Sequence, residues 1–131
     1  MLGETNVQPM LPVKDLEGAQ RFYELTLGLK KAGEMPGAAV TYRSGSTTLV
    51  VYRSEFAGTN KGTAALWEVD HVDGTVKELK SKGVTFEQYD LPGLTLEDDV
   101  HRGGDMKVAW FKDPAGNILS VQNNPAGSGR R

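Results

Sequence analysis

The sequence predicts an α+β fold, in which two βαβββ modules form a cup-shaped mixed sheet. Residues 108–121 read as a β-hairpin, because an apolar run ending in Trp110 and Phe111 precedes turn residues and a short alternating strand. Apolar residues recur at helical spacing after Asp15 and again after Asp70. The order of one strand, one helix and three strands therefore occurs twice, with a period of about 55 to 60 residues.

Length and composition limit the class of protein. The chain has 131 residues, enough for one domain with a substantial core, and it contains no cysteine, which excludes disulfides and thiolate metal sites. The net charge of -2 argues against nucleic-acid binding. No apolar run approaches the roughly 20 residues that span a membrane. The N-terminus lacks the basic and apolar segments of a signal peptide, so we expect a cytoplasmic protein.

Module one is predicted at residues 6–53. Its first strand, residues 6–13, contains two prolines, which suit an edge strand. Asp15 is the predicted N-cap of a helix that ends at Gly28. Short strands follow at residues 29–34, 38–43 and 47–53.

Module two is predicted at residues 62–123, after a polar linker at residues 54–61. We expect a strand, then a helix that is capped by Asp70 or His71 and closed by Gly83. The remaining predicted elements are strand 84–89, a long loop at 91–104 and the closing hairpin. Together the modules form a single domain, residues 1–124, and we expect residues 125–131 to be a disordered tail.

Two phrases resemble a known superfamily. Residues 13–29 read V-K-D-L-E-G-A-Q-R-F-Y-E-L-T-L-G-L, which resembles its first helix, and D-P-A-G-N at residues 113–117 resembles the turn of its closing hairpin. The superfamily is that of the vicinal oxygen chelate proteins, which includes glyoxalase I, bleomycin resistance proteins and extradiol dioxygenases. The resemblance covers about residues 6–123. It implies paired βαβββ modules with a small-molecule cleft between them.

The resemblance also implies where a metal would be held. Enzymes of this superfamily bind a divalent metal through side chains of the first and last strands of each module. The matching positions here are Gln8, Leu49, Ala64 and Ser120. Glutamine can ligate through its carbonyl oxygen, but leucine and alanine offer no ligand atom. We therefore expect no cofactor. The alternative is a divalent metal such as Zn, Ni, Fe or Mn in an atypical ligand set.

Histidine, glutamate and tryptophan residues are further site candidates. His71 is expected to be an exposed helix cap, and His101 to lie in a solvated loop. Glu68 shares a strand face with Ala64, which suits either a ligand-binding carboxylate or a salt-bridged edge residue. Trp110 is a candidate for stacking on a planar ligand, whereas Trp67 is expected to face the helix layer.

The loop at residues 91–104 is predicted to be a mobile flap over the ligand. Its proposed hinge is Gly103 and Gly104. Five acids and no Lys or Arg lie between residues 83 and 101, a run that would attract a cation or simply be solvated. The flap candidates are Asp98, Asp99, His101, Gly103 and Gly104.

The expected function is small-molecule binding without a metal, as in the bleomycin resistance proteins of this superfamily. Ligand-binding candidates are Gln8, Leu49, Ala64, Glu68, Trp110 and Ser120. The resemblance implies a homodimer, which would also protect exposed sheet edges. Two alternatives stay open: a metal-dependent glyoxalase-like lyase or ring-cleaving dioxygenase, and a metal-free enzyme or regulatory domain.

Overall fold

The computed structural model describes residues 1–124, so the predicted tail at 125–131 lies outside the described residues. The described chain divides into two compact units. Unit 1 comprises Met1–Lys61 and Asp113–Asn117, and unit 2 comprises Gly62–Lys112 and residues 118–124. Each unit contains one mixed sheet and few helices, which confirms the α+β prediction.

The helical segment of unit 1 begins and ends where the sequence predicts. Asp15 caps helix α1, Leu16–Arg21, by accepting a hydrogen bond of 3.1 Å from the backbone N–H of Gly18. The helix continues as a π-helical turn, Phe22–Thr26, and the chain then leaves it at Gly28 with φ of 77°.

The sheet of unit 1 has the strand order β1-β4-β3-β2 within the described residues. Strand β1 is parallel to β4, and the other pairs are antiparallel. Strand β1 lies at an edge, as its prolines predict, although it begins at Met10 rather than at residue 6. A short 3₁₀ turn, Leu2–Glu4, precedes it. The strands are β1 (Met10–Val13), β2 (Lys30–Met35), β3 (Ala39–Ser44) and β4 (Thr47–Arg53).

One face of this sheet packs under the helical segment. The ring of Tyr23 stacks on that of Tyr42 in β3, with centroids 6.0 Å apart. The Tyr42 hydroxyl donates a hydrogen bond of 2.8 Å to Glu24. Burial and Glu24 both raise the pKa of Tyr42. The buried residues on this helix-covered face are Leu11, Val13, Val40, Tyr42, Leu49 and Val51.

The D-P-A-G-N turn packs within unit 1, although its flanking strands belong to unit 2. The side-chain amide of Asn117 donates a hydrogen bond of 2.7 Å to the carbonyl of Pro12 in β1. The predicted linker, residues 54–61, also approaches the turn: a Cβ on Gly58 would lie 2.5 Å from the carbonyl oxygen of Ala115. Only glycine fits this contact, and Gly58 also has φ of 78°.

The sheet of unit 2 has the main strand order β5-β10-β9-β8-β7, and β6 pairs with β9. Strands β5 and β10 are parallel, and the other pairs are antiparallel. The helix of this unit, α2, spans Val72–Ser81. The strands are β5 (Thr63–Glu68), β6 (Phe86–Glu87), β7 (Thr95–Glu97), β8 (Val100–Gly103), β9 (Met106–Lys112) and β10 (Ile118–Gln122).

Helix α2 covers one face of this sheet. Asp73 on the helix forms ion pairs with Arg102 of β8 and, at 3.1 Å, with Lys107 of β9. The side of β8 and β9 that carries Arg102 and Lys107 therefore faces helix α2. His71 occupies the N-cap position with an exposed side chain that makes no capping hydrogen bond. The buried residues between helix and sheet include Val72, Val76, Leu79, Ala109, Phe111, Leu119 and Val121.

Two sequence predictions for unit 2 are wrong. The predicted strand at residues 84–89 is ordered as a strand only at Phe86–Glu87. The predicted loop at residues 91–104 contains β7 and β8, which pair as a hairpin. The turn between them is Asp98–Asp99, with φ of 53° and 69°. Aspartate tolerates this left-handed conformation, so two adjacent acids form a tight turn between paired strands and not an irregular loop.

Candidate functional site

The face of the unit 2 sheet opposite α2 gathers aromatic and polar side chains. Ser120 of β10 lies opposite Trp110 of β9 and Leu66 of β5. His101 of β8 lies opposite Val108, two residues before Trp110 and hence on the same face. The ring of Tyr89 contacts both His101 and Trp110. We call this surface the aromatic face and define it by Leu66, Tyr89, His101, Trp110 and Ser120.

Trp110 is held in one orientation on this face. Its indole N–H donates a hydrogen bond of 3.0 Å to the hydroxyl of Thr63. The rings of His101 and Tyr89 meet it edge to face, with centroids 4.8 Å and 5.2 Å away. Each such pair contributes about 0.5–1.5 kcal/mol beyond burial. The half-buried indole is therefore fixed before any ligand arrives.

His101 is the buried polar group of the aromatic face, with 1% of its surface exposed. Its Nε2 accepts a hydrogen bond of 3.0 Å from the backbone N–H of Tyr89, so neutral His101 carries its proton on Nδ1. No group of residues 1–124 hydrogen-bonds to Nδ1. An unpaired buried donor costs about 1–3 kcal/mol, which a ligand oxygen at this position would offset. The prediction that His101 lies in a solvated loop is wrong.

The structure brings three predicted site residues together on one side of the unit 2 sheet. Glu68 alternates along β5 with Leu66, so it shares a face with Trp110 and Ser120, whereas Ala64 lies at a register shift between β5 and β10. Ser120 is buried, and Glu68 is exposed. Trp67 lies opposite buried Val121 on the α2 side, as the strand alternation predicts.

The two predicted site residues of unit 1 are placed differently. Gln8 is exposed and precedes β1 by two residues. Leu49 is 4% exposed and lies opposite Tyr42 on the helix-covered face of its sheet, so the structure makes it a core residue. Its neighbours Thr48 and Val50 occupy the other face. A shift of one residue in a strand moves a side chain across the sheet, and the sequence did not fix this register.

The donor atoms at the four implied metal positions do not suit a divalent ion. Gln8 offers an amide oxygen and Ser120 a hydroxyl, whereas Leu49 and Ala64 offer none. If Thr48 or Val50 occupied this metal position instead of Leu49, the ligand set would gain at most one hydroxyl. Zn²⁺ and the related catalytic ions bind imidazole and carboxylate groups. Among residues 1–124, no group of three or more His, Asp or Glu side chains is arranged to hold an ion.

The predicted flap residues lie in regular structure. Asp98 and Asp99 form the β7–β8 turn, and Gly103 ends β8, paired with Met106. Gly104, with φ of 60°, belongs to the next tight turn. A Cβ on Gly103 would lie 2.6 Å from Leu94 and 2.8 Å from the carbonyl oxygen of Gly93. Close packing, rather than the hinge that we predicted, explains the glycine at position 103.

Ion pairs neutralise much of the acidic run between residues 83 and 101. Asp99 pairs with Lys80 and accepts a hydrogen bond from Gln88, and these two contacts lower the pKa of Asp99. Glu97 lies 3.1 Å from Arg102. Glu87 lies 3.8 Å from Lys112. Since three of the five acids have basic partners, this segment offers a cationic ligand less charge than its sequence indicates.

Sequence reasoning missed the association of Tyr89 and His101 with Trp110. A signal was present in the chain: Val100, His101 and Arg102 precede Gly104–Asp105, a pair typical of two-residue hairpin turns, and β9 follows. Alternation outward from that turn places His101 on the same face as Trp110. Tyr89 lies outside the strands, so no comparable signal identified it.

The family model of the Glyoxalase/Bleomycin resistance protein/Dioxygenase superfamily matches residues 6–121. This chain belongs to that superfamily. Among curated proteins, none matches its sequence. No helix in residues 1–124 of this superfamily member is long and apolar enough to cross a membrane.

Solved structures share the superfamily fold at low sequence identity. Lactoylglutathione lyase from Agrobacterium tumefaciens is 17% identical with a TM-score of 0.70, covering 95% of this chain and 97% of its own. A glyoxalase family protein from Enterococcus faecalis is 19% identical with a TM-score of 0.70, covering 94% and 100%. TnmS3, an antibiotic binding protein from Streptomyces sp. CB03234, is 21% identical with a TM-score of 0.63, covering 90% and 95%. These likenesses establish the fold alone.

Proposed function

We propose that this protein binds a small planar molecule on the aromatic face of unit 2, without a metal. The observation that carries the proposal is the buried His101 donor, unpaired within the described chain, beside the fixed indole of Trp110. An aromatic wall with one unpaired polar group is typical of small-molecule sites, where apolar contact provides affinity and a few polar groups fix orientation.

The predicted ligand has an aromatic or conjugated ring and an oxygen acceptor. The ring would pack against Trp110 and against Leu66, which is 52% exposed. The acceptor would receive the hydrogen bond from His101 Nδ1. A cationic group is not required, because Lys80, Arg102 and Lys112 already pair with the neighbouring acids.

Drug sequestration is the biological role that we propose for this binding. TnmS3, which shares the fold, is described as an antibiotic binding protein. Aromatic antibiotics have the ring and oxygen acceptors that the aromatic face would recognise. Resistance by sequestration needs only tight binding and no reaction.

A metal-dependent lyase or ring-cleaving dioxygenase is the competing function. Gln8 is the residue that favours it, since the family position that it matches can ligate a metal through an amide oxygen. Metal content measured by mass spectrometry after incubation with Ni, Co, Fe, Mn and Zn separates the two functions. We expect less than about one-tenth of an equivalent, because one amide and one hydroxyl are a poor ligand set. Near one equivalent after dialysis would contradict the metal-free proposal.

Tryptophan fluorescence tests the ligand site directly. The chain has two tryptophans, so Trp67→Phe leaves Trp110 as the sole indole and Trp110→Phe leaves Trp67. Aromatic antibiotics, cationic glycopeptides and common aromatic metabolites would be titrated into both metal-free variants. We expect saturable quenching with Trp67→Phe and little change with Trp110→Phe. Quenching of Trp67 alone, or no thermal shift with any compound, would overturn the proposal.

We also propose a cytoplasmic homodimer. Strand β2 is an edge strand in which every residue is exposed, and β5 is an edge strand that presents Leu66. Unpaired edges favour association with a second chain. Light scattering coupled to size exclusion tests this directly: a mass near twice 14.2 kDa supports the dimer, and a monomer at high concentration contradicts it.

A further inference from the structure

Unit 1 contains a groove with a volume of about 810 Å³ that the proposed function does not use. Sites for small molecules have volumes of roughly 300–1,000 Å³, so the groove is of suitable size. It is open to solvent along one side, unlike a buried cavity. We call it the basic groove. Its lining residues are Lys14, Gly37, Ala38, Arg53, Ser54, Glu55 and Phe56.

Backbone pairing brings the basic residues of this groove together. Val13 and Arg53 are register partners at the ends of the parallel strands β1 and β4. The backbone N–H of Ser54 donates to the carbonyl of Val13 at 2.9 Å, and that of Arg53 donates to Ala38 at 2.8 Å. Lys14, the residue after Val13, therefore leaves the sheet beside Arg53. Arg53 is thus the last residue of strand β4, and Lys14 lies in the bend directly after strand β1.

Neither cation is neutralised within the described part of the chain. No carboxylate oxygen of residues 1–124 lies within 4.0 Å of Lys14 or Arg53, whereas seven of the other eleven basic side chains in this range take part in ion pairs. Glu55 lines the same groove without reaching either of them. In a protein of net charge -2, two unpaired cations at one groove form a local positive surface.

The groove also has an apolar wall. The side chain of Phe56 is 77% exposed, an unusual position for a large aromatic residue. A turn fixes its backbone, since the N–H of Phe56 donates to the hydroxyl of Ser54 at 3.1 Å. An exposed ring beside two cations matches a molecule that carries both an anionic group and an apolar body.

We propose that the basic groove binds a small organic anion, such as an aromatic carboxylate. The carboxylate is held by the guanidinium of Arg53, which can donate two parallel hydrogen bonds, and by the ammonium of Lys14. The apolar body packs on Phe56. The carboxylate of Glu55 repels the bound anion and so limits the affinity of the groove. This site lies in unit 1 and does not depend on the aromatic face of unit 2, so each can fail without the other.

Amide chemical shifts on the full chain test the proposal. Sodium benzoate, neutral benzyl alcohol and inorganic phosphate would be titrated separately. Benzoate is expected to give saturable shifts at Ser54, Glu55 and Phe56, and to bind about tenfold more tightly than benzyl alcohol, because the carboxylate provides charge-assisted hydrogen bonds. Phosphate is expected to bind more weakly than benzoate because it has no apolar body. Phosphate binding as tightly as benzoate would overturn the role of Phe56.

Charge-matched variants decide whether the basic groove is responsible. Arg53→Gln is expected to weaken benzoate binding about fivefold or more, whereas Arg43→Gln, at an exposed cation on β3 outside the groove, stays within about twofold of the native chain. Glu55→Gln is expected to tighten binding. Equal weakening by the two arginine variants would show only general attraction of anions. That result, or shifts confined to residues outside the basic groove, would overturn the proposal.

Discussion

The hydroxyl of Tyr23 donates a buried hydrogen bond of 2.7 Å to the carboxylate of Asp113, 90 residues later in the chain. The same carboxylate accepts the backbone N–H groups of Ala115 and Asn117 at 2.9 Å and 2.8 Å, and the Asn117 amide at 2.8 Å. Asp113 is 4% exposed, yet its two oxygens have four donors. A buried carboxylate thus organises the D-P-A-G-N turn and joins it to the helical segment.

Removing the Tyr23 hydroxyl is expected to destabilise the fold. Tyr23→Phe keeps the ring on Tyr42 but leaves a buried carboxylate with one donor fewer, which costs about 1.5–3 kcal/mol for a charged acceptor. Urea denaturation measures the loss. Tyr42→Phe is the matched control, because its bond to Glu24 is only partly buried, and it should cost less. An unfolding free energy of Tyr23→Phe equal to that of the native chain would contradict the role assigned to this bond.

Alkaline pH is expected to act through the same residue. Burial, followed by the charge of Asp113 and the hydrogen bond to it, raises the pKa of Tyr23. The phenol therefore stays protonated in the folded chain, while the unfolded chain ionises near pH 10. The stabilisation is complete below about pH 10 and is lost as pH rises above it, by up to about 1.4 kcal/mol per pH unit.

Urea midpoints between pH 8 and 11.5 would measure this dependence. Tyr23→Phe should have a shallower decline above pH 10 than the native chain. Tyr42, whose pKa is also raised, contributes to the decline that remains. Parallel curves for the native chain and Tyr23→Phe would show that Tyr23 does not resist ionisation.

The ion pairs of helix α2 should give a modest, salt-dependent stabilisation. Hydrogen bonds from Arg102 and Lys107 lower the pKa of Asp73, so their contribution is present above about pH 4 and is lost as pH falls below it. The Asp73 side chain is 49% exposed, so solvent screens it, and Asp73→Asn is expected to cost only about 0.5–1 kcal/mol at low salt.

Thermal unfolding at low salt and at about 0.5 M NaCl tests this contribution, because salt screens exposed charges. The deficit of Asp73→Asn should shrink in high salt. Glu78→Gln is the control on the same helix, since its pair with Lys82 is long, at 3.9 Å, and exposed. A deficit that is independent of salt would assign the effect of Asp73 to something other than these charges.

Two glycines should respond to alanine with opposite signs. Gly103→Ala places a methyl group against Leu94 and the Gly93 carbonyl, so we expect a loss of about 1–3 kcal/mol through overpacking. Gly74→Ala lies within helix α2, where the nearest atom is 3.8 Å away, and should stabilise by up to about 1 kcal/mol. Chemical denaturation measures both. A neutral Gly103→Ala would restore the hinge interpretation of that residue.

Local chemistry could be predicted from the sequence. The cap at Asp15, the helix end at Gly28 and the bounds of β4 depend on neighbouring residues, and the structure confirms them. The family resemblance depends on similarly local sequence segments, and the match of the family model to residues 6–121 confirms it.

Register and distant contacts could not be predicted from the sequence. Leu49 was predicted to bind the ligand but lies in the core opposite Tyr42, because a strand has a period of two and no neighbouring residue fixed its phase. His101 looked solvated because acids surround it, but those acids form a turn and ion pairs. The bond from Tyr23 to Asp113 crosses 90 residues, and no local pattern encodes it.

The location of the D-P-A-G-N turn has a consequence for synthesis on the ribosome. The strands of unit 1 have all been made once residue 61 has emerged, yet Tyr23 and the Pro12 carbonyl still lack Asp113 and Asn117. Unit 1 must therefore wait for residues 113–117 before these two buried polar groups have their partners. Its completion is coupled to the β9–β10 hairpin, so a nascent chain that stalls before residue 113 remains incompletely folded and exposed to chaperones and proteases.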